Sequence, residues 1–326
     1  MTAPSDAVLM TLAGLAYGAP AQLPGYLAQA TPVAGWRLLW VPAVGAAPDN
    51  FAFLAGTDDG QAVLAIRGTY PNPFSEAYWD DESQDSPFGT MAAWPGVPGA
   101  KISAGTQAGL AGLLALRDAA DQGLAAAVAG LPEGTEVTVV GHSLGGTLAP
   151  VLALWLAGKS PDRALSATSF AGMTPGNSIF AEVFATRALK VRRVYNTLDS
   201  VSYGWDQVWA THGFYSPAPQ GGDVVAAMLL ATEARLRLGG YDYAPVGTPV
   251  PLTGAVRPPV IPCALVAYVV ENLHQHMPDT YLDLLGAPPL PFSLIWGSMV
   301  VPRSHPMADR AASPAGPVLH VTGQEG

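Results

Sequence analysis

Short hydrophobic runs alternate along the first two thirds of the chain with longer apolar stretches of helical spacing. The short runs predict strands over residues 36–41, 51–55, 61–69, 137–141, 167–172 and 191–196. The longer stretches predict helices over residues 7–17, 106–130, 144–157 and 177–189, the second with a leucine face of Leu110, Leu113, Leu114 and Leu124. Strands that alternate with helices at this interval predict a mostly parallel central sheet flanked by helices.

The last third of the chain is richer in Gly, Pro and aromatic residues. Its pattern predicts a helix over residues 224–238, an edge strand that tolerates its prolines over 244–252, and a helix over 264–274. Residues from about 287 to 326 are expected to form an irregular C-terminal wrap or tail. Because there is no internal repeat and no sharp linker, we predict one domain over residues 1–326.

Composition narrows the class of protein. The 326 residues are 49% hydrophobic and 12% charged, with a net charge of -10, which argues against a disordered chain and, without a basic stripe, against a nucleic-acid partner. The one cysteine, Cys263, excludes an intrachain disulfide and a cysteine metal cluster, and its apolar run predicts a core position. We expect no metal and no cofactor.

The chain shows no apolar run of the roughly 20 residues that a membrane span needs. No Lys or Arg precedes Arg37, so the apolar N-terminus is interpreted as a packed helix and not as an export signal. We therefore expect a soluble protein, cytoplasmic or exported by an unrecognised route, whose apolar surface can still contact a lipid–water interface.

Ser143 lies in the sequence VTVVGHSLGG, where an apolar strand changes into a helix. Gly141 and Gly145 make the G-x-S-x-G arrangement of a nucleophile elbow, in which the sharp turn leaves no room for side chains at the flanking positions. The start of the helix also directs backbone N–H groups, such as that of Leu144, towards an oxyanion. The alternative is a tight Gly-Ser turn without chemistry.

A serine nucleophile requires a histidine base and a carboxylate, which follow the serine in the order Ser, Asp or Glu, His in α/β-hydrolases. Asp199, just after the strand over residues 191–196, is the first candidate, and Asp206 is the second. His142 is adjacent to the serine but is expected to point away from it. His274 and His276 both follow an apolar helix, and the residues alone do not choose between them.

At this point the sequence resembles the class 3 lipases, over roughly residues 60–285. The resemblance rests on six motifs in order: VLAIRGT at 63–69, YWDDES at 78–83, GHSLGG at 141–146, FAGMTPGN at 170–177, VYNTLDSV at 194–201 and APVGTPVPL at 244–252. It implies an α/β-hydrolase fold and a Ser143–Asp199–His276 triad, since Tyr281 stands five residues after His276. It also implies an oxyanion hole made by the N–H groups of Thr69 and Leu144, with the Thr69 hydroxyl as a further candidate donor.

The same resemblance places a lid at residues 70–99, a loop with five prolines, two tryptophans and an acidic cluster. A static surface loop is the alternative. We assign Tyr70 and His142 to substrate binding. Two departures from the family are SAGT at residues 103–106, where many relatives have His-x-Gly-Phe, and Pro150, which is expected to kink the helix after the elbow.

Together these features predict a serine carboxylester hydrolase, most simply a lipase acting on acylglycerols or other lipid esters through an acyl-enzyme. The same constellation also serves short-chain carboxylesterases, phospholipases A1, feruloyl esterases, polyester hydrolases and acyltransferases, because fold and triad do not determine the leaving group. A silent lipid-binding protein is the alternative outside enzymes.

Overall fold

The computed structural model describes residues 3–45, 48–69, 83–187, 189–295 and 298–302. A seven-stranded sheet in the order β1-β2-β3-β6-β7-β9-β11 runs through its centre, antiparallel from β1 to β3 and parallel from β3 onward. Its strands are β1 (Arg37–Trp40), β2 (Ala52–Gly56), β3 (Gln61–Ile66), β6 (Glu136–His142), β7 (Leu165–Phe170), β9 (Lys190–Asn196) and β11 (Thr248–Leu252).

Two smaller sheets accompany it. One has the order β10-β8-β5-β4 and the other is the hairpin β12–β13. Their strands are β4 (Ala92–Ala93), β5 (Lys101–Ile102), β8 (Gly176–Asn177), β10 (Tyr243–Ala244), β12 (Phe292–Ile295) and β13 (Ser298–Pro302).

Nine of the described helices are α-helical and four short ones are 3-10 helices. The α-helices are α1 (Asp6–Leu15), α2 (Leu23–Gln29), α3 (Ala104–Ala115), α4 (Leu124–Ala129), α5 (Leu144–Lys159), α6 (Ser178–Thr186), α7 (Gly222–Leu238), α8 (Ala264–His276) and α9 (Pro278–Leu284). The 3-10 helices are Pro20–Gln22, Thr31–Val33, Ser200–Tyr203 and Val208–Gly213.

Helices cover both faces of the central sheet because its strands are apolar on both sides. In β3, Leu64 and Ile66 pack with α3, α4, α5 and α6 in one core, whereas Val63 and Ala65 pack with α1, α2 and α9 in the other. Alternate residues of one strand therefore enter opposite cores, as the period of two requires. The predicted α/β-hydrolase class, with a mostly parallel sheet between helices, is confirmed.

The predicted elements agree with the observed ones within a few residues, with three differences. Helices α2 and α9 and the sheet β10-β8-β5-β4 were not predicted. The predicted helix over 106–130 is two helices, α3 and α4, and residues 287–302, predicted to be irregular, include the hairpin β12–β13. Cys263, predicted in the core, is exposed at the start of α8. Pro150 lies inside α5, which continues past it to Lys159.

Candidate active site

Ser143 occupies a strained turn between β6 and α5. Its φ of 60° and ψ of -128° lie in a region that residues with a side chain rarely adopt. A Cβ on Gly141 would stand 2.2 Å from the backbone of Gly145, and one on Gly145 would stand 2.4 Å from the carbonyl oxygen of Ile66. Both glycines are therefore required by backbone packing, and the elbow presents Ser143 at the carboxyl edge of the sheet.

The structure brings Ser143, His276 and Asp199 together. Nε2 of His276, the last residue of α8, lies 2.8 Å from Oγ of Ser143. Nδ1 of the same ring lies 3.0 and 2.9 Å from the two carboxylate oxygens of Asp199. Asp199 follows β9 and caps the 3-10 helix Ser200–Tyr203, so the strand end and the helix end place the two side chains in contact.

Three further donors hold the carboxylate of Asp199, which is fully buried. The N–H of Val201 donates at 3.0 Å, the hydroxyl of Ser202 at 3.2 Å and the hydroxyl of Tyr281 at 2.7 Å. These contacts fix the orientation of the carboxylate towards His276. In the sequence Tyr281 served only as a marker of the histidine. The capping pattern of an Asp before a helical turn was the available signal for Val201 and Ser202.

The pKa of His276 is raised above its ordinary 6.5. Burial by itself lowers that pKa, but the charge of Asp199, its hydrogen bond and the charge of Asp85 together outweigh burial. A nearby carboxylate that stabilises the imidazolium is the arrangement that a histidine needs to accept a proton from serine.

His142 is buried and lies beneath His276. Its Nε2 is 2.8 Å from the carbonyl oxygen of His276, which only accepts, and its Nδ1 is 2.9 Å from the hydroxyl of Tyr17. Burial, followed by the charge of His276, lowers the pKa of His142 well below 6.5, so the ring is neutral, with the proton on Nε2 and the Tyr17 hydroxyl donating to Nδ1. We correct the substrate-binding assignment of His142, because both ring nitrogens bind protein groups. Tyr17 was missed from the sequence.

The end of β3 runs directly beside the elbow. Ile66 pairs with Gly141, and a Cβ on Gly68 would stand 2.6 Å from the carbonyl oxygen of His142. This close approach places Thr69 next to the start of α5. Leu144 is the first residue of that helix, where backbone N–H groups have no partner within the helix.

The hydroxyl of Thr69 donates to a carboxylate oxygen of Asp85 at 2.7 Å. Asp85 belongs to the acidic cluster of the predicted lid, and no role was predicted for it. Its contact with Thr69 is long-range in the chain, and no local pattern signals it.

The other candidates lie elsewhere or outside the described residues. Asp206 bonds to Gln207 and its pKa is raised by burial, and His274 lies 3.3 Å from the hydroxyl of Thr280. Tyr70 and most of the acidic part of the predicted lid lie outside the described residues, as do two histidines of the C-terminal segment, His305 and His320.

The sequence and the fold are both similar to those of known lipases. Residues 63–203 match the family model of class 3 lipases. The structure of M37 lipase superposes with a TM-score of 0.69 at 26% identity, covering 86% of this chain and 92% of that one. The propeptide complex of Rhizomucor miehei lipase shares the fold, with a TM-score of 0.50 at 20% identity over 62% of this chain and 63% of that one. A search of curated sequences finds no significant match.

The fold and its elbow define an α/β-hydrolase. Within that class, the chain is similar to class 3 lipases over residues 63–203. This match and the similarity to M37 lipase support a carboxylic ester hydrolase, as the sequence motifs implied. In the part of the chain that the structure describes, no helix is long and apolar enough to cross a membrane.

Proposed function

We propose that this protein is a serine lipase that hydrolyses acylglycerols or other lipid esters through an acyl-enzyme on Ser143. The observation that carries the proposal is the continuous hydrogen-bonded chain from Oγ of Ser143 to Nε2 of His276 at 2.8 Å, and from Nδ1 to Asp199 at 2.9 Å. These are the distances that proton transfer between a nucleophile and a general base needs.

In the proposed reaction, Nε2 of His276 takes the hydroxyl proton as Oγ of Ser143 attacks the ester carbonyl carbon. Asp199 stabilises the imidazolium. The tetrahedral intermediate then collapses, its C–O bond to the alcohol breaks, and His276 returns the proton to the leaving alkoxide oxygen. Water repeats the sequence on the acyl-enzyme and releases the fatty acid.

The proposed oxyanion hole consists of the backbone N–H groups of Thr69 and Leu144. The pairing of β3 with β6, which ends with Ile66 beside Gly141, and the position of Leu144 at the start of α5 support this assignment. The carboxylate of Asp85 accepts a hydrogen bond from the hydroxyl of Thr69. This bond orients Thr69 and leaves its backbone N–H as the proposed donor to the oxyanion. Loss of one such donor typically costs about 3 kcal/mol of transition-state stabilisation.

The predicted lid at residues 70–99 is part of the proposal. Its described end is anchored on α7 and on the segment that follows that helix. Phe88 stacks under the guanidinium of Arg235, in α7, at 3.7 Å, and Gly89 bonds with the hydroxyl of Tyr241, three residues after α7. An anchored stem is what a lid hinge requires. Deleting part of residues 70–82 is expected to abolish any rate increase at the solubility limit of a triglyceride, and an unchanged increase contradicts the lid.

The nucleophile is tested by Ser143→Ala, with Ser169→Ala as the matched control. Ser169 is a buried serine on the neighbouring strand β7, paired with Gly141. The wild type and Ser169→Ala are expected to hydrolyse p-nitrophenyl esters and emulsified triacylglycerol, whereas Ser143→Ala folds and is inert. Turnover by Ser143→Ala would refute the assignment, and an inert wild type would favour a lipid-binding protein.

The chain length of the ester separates the candidate activities. Higher kcat/KM on long-chain than on short-chain p-nitrophenyl esters supports the lipase, and the reverse supports a carboxylesterase. For the base, His276→Ala is expected to abolish turnover and His274→Ala only to weaken it, since His276 alone of the two contacts Ser143.

A further inference from the structure

Helix α8, which ends at His276, is turned with its polar side towards the protein. Its buried residues include Glu271 and Gln275. Its outward residues are aliphatic and 39–48% exposed: Leu265, Val266, Val269, Val270 and Leu273, which we name the outer face of α8. A surface helix normally shows the opposite pattern, with charged residues outside and the apolar stripe against the core.

The orientation of α8 is fixed by hydrogen bonds on its inner side. The carboxylate of Glu271 accepts from the backbone N–H of Arg257 at 3.0 Å, from its guanidinium at 3.2 Å and from Gln275 at 2.6 Å. The side chain of Gln275 in turn accepts from Asn196, at the end of β9, at 2.7 Å. Rotating the helix to bury its aliphatic side would leave this charged network without partners. The outer face is therefore held outward.

The outer face leads along the helix to the catalytic end. At a rise of 1.5 Å per residue it extends about 12 Å from Leu265 to Leu273, and His276 follows one turn later. The neighbouring segment enlarges the apolar area, since Val260 is 90% exposed. Val260 lines a groove of about 420 Å³ together with prolines, Val270 and the ion pair of Arg257 and Glu271. An apolar surface of this kind marks a site of contact with a protein or a lipid phase.

The charge of the outer face and its position near His276 indicate which partner would contact it. The only Asp, Glu, Lys or Arg in α8 is the buried Glu271, so the outer face offers no charge to an ionic partner. The whole chain carries -10, which disfavours an anionic lipid surface. A neutral lipid phase both covers the aliphatic residues and supplies the substrate.

We propose that the outer face of α8 docks the protein on the surface of triacylglycerol droplets and presents the Ser143–His276 pair to ester groups there. This inference rests on the proposed lipase function. It assigns the contact with lipid to a fixed helix that also carries the proposed catalytic histidine, independently of the predicted lid.

The test is the variant Val266→Asp/Val269→Asp, with Leu39→Asp as the control. Leu39 is 37% exposed on β1, the edge of the central sheet opposite β11. Adsorption is measured as depletion from solution by triolein droplets, and turnover as hydrolysis of dissolved p-nitrophenyl butyrate. The double variant is expected to adsorb about tenfold or more weakly, because two charges enter a surface that contacts lipid. Turnover of the dissolved ester is expected to stay at the wild-type value, and Leu39→Asp to match the wild type in both assays.

The near-isosteric variant Val266→Thr/Val269→Thr is a control for misfolding of the aspartate variant. It is expected to give an intermediate loss of adsorption. Equal adsorption by the wild type and the aspartate variant overturns the proposal. So does stronger adsorption of the wild type to phosphatidylserine vesicles than to triolein droplets, or a wild-type dimer that the aspartate variant dissociates.

Failure of the lipase function remains distinguishable, since adsorption needs no turnover. Ser143→Ala is expected to adsorb like the wild type.

Discussion

Ser143 stands at the start of helix α5 and His276 at the end of helix α8, and the two helices bury opposite kinds of residues. Helix α5 begins just after Ser143 and buries 12 of its 16 residues, nearly all apolar or small. Helix α8 ends at His276 and buries four of its 13 residues, two of them Glu271 and Gln275. The nucleophile is thus held by close packing, and the base by hydrogen bonds.

This difference determines what each half of the site is sensitive to. Around α5, glycine backbones contact each other and the end of β3, so added volume is the main perturbation. Around α8, the helix position depends on polar partners from distant parts of the chain, so the loss of one partner is the main perturbation. The arrangement leaves the aliphatic side of α8 available for lipid.

Adding one methyl group to α5 is expected to have the largest effect. In Gly145→Ala the new Cβ meets the carbonyl oxygen of Ile66 at 2.4 Å, which we expect to lower the free energy of unfolding by about 3 kcal/mol. Gly158→Ala, on the same helix, meets no atom within 4 Å and is expected to raise it by roughly 0.5–1 kcal/mol. Urea denaturation measures both, and equal midpoints for the two variants would contradict the packing argument.

Removing the buried carboxylate of α8 is expected to have an intermediate effect. Glu271→Ala leaves Arg257 and Gln275 without their acceptor and should lower the free energy of unfolding by about 2 kcal/mol. Glu271 holds Gln275, which directly precedes His276, so its loss should displace the proposed base. We therefore expect kcat on a dissolved ester to fall by a larger factor than the change in KM. Glu271→Gln keeps the shape and one acceptor oxygen, and is expected to restore part of kcat.

The pH dependence of stability checks the charge of Glu271. Burial opposes the ionised form, but the hydrogen bonds from Arg257 and Gln275 outweigh burial and lower the pKa of Glu271 below its ordinary 4.5. A lowered folded-state pKa gives stability that is present above the unfolded value and lost as the pH falls through the folded value. Glu271→Gln should therefore flatten the acid loss of stability, and an unchanged slope would count against the ionised carboxylate.

The smallest effect is expected from Asp85, which belongs to neither helix. Activity requires neutral His276, whose raised pKa places the acid limb of kcat/KM above pH 6.5. The charge of Asp85 contributes to that rise, so Asp85→Asn should move the limb to lower pH, whereas Asp206→Asn should leave it in place. A pH–rate profile on a dissolved ester measures the shift, and a limb that moves upward would contradict the sign.

The sequence was sufficient for the elbow and its half of the site. The requirement for Gly141 and Gly145 is local and steric, so the sequence alone reveals it. The apolar runs on either side of the two glycines have the lengths of a strand and a helix. The position of Asp199 was also predictable, because this residue follows the end of strand β9 at the edge of the sheet where Ser143 lies. His276 could not be separated from His274 by local pattern, because what distinguishes them is which side of α8 faces the sheet.

Sequence reasoning failed where contacts between distant residues override local pattern. The apolar run around Cys263 predicted burial, but the network of Arg257, Glu271 and Asn196 turns α8 the other way. The helix predicted over 106–130 breaks where the carboxylate of Asp118 accepts the N–H groups of Ala120 and Gln122, a local turn that competes with the helix. The contact between Tyr17 and His142 joins residues 125 positions apart, beyond any local signal.

The central claim is that Ser143 is the nucleophile that His276 activates. Its most direct measurement is labelling with a p-nitrophenyl alkylphosphonate, which transfers its phosphonyl group to an activated serine and releases p-nitrophenol. Mass spectrometry of the digested protein should find one label per chain, on Ser143, with none in Ser143→Ala and strongly slowed labelling in His276→Ala. Labelling of a different residue, or labelling of Ser143→Ala at the wild-type rate, would contradict the account.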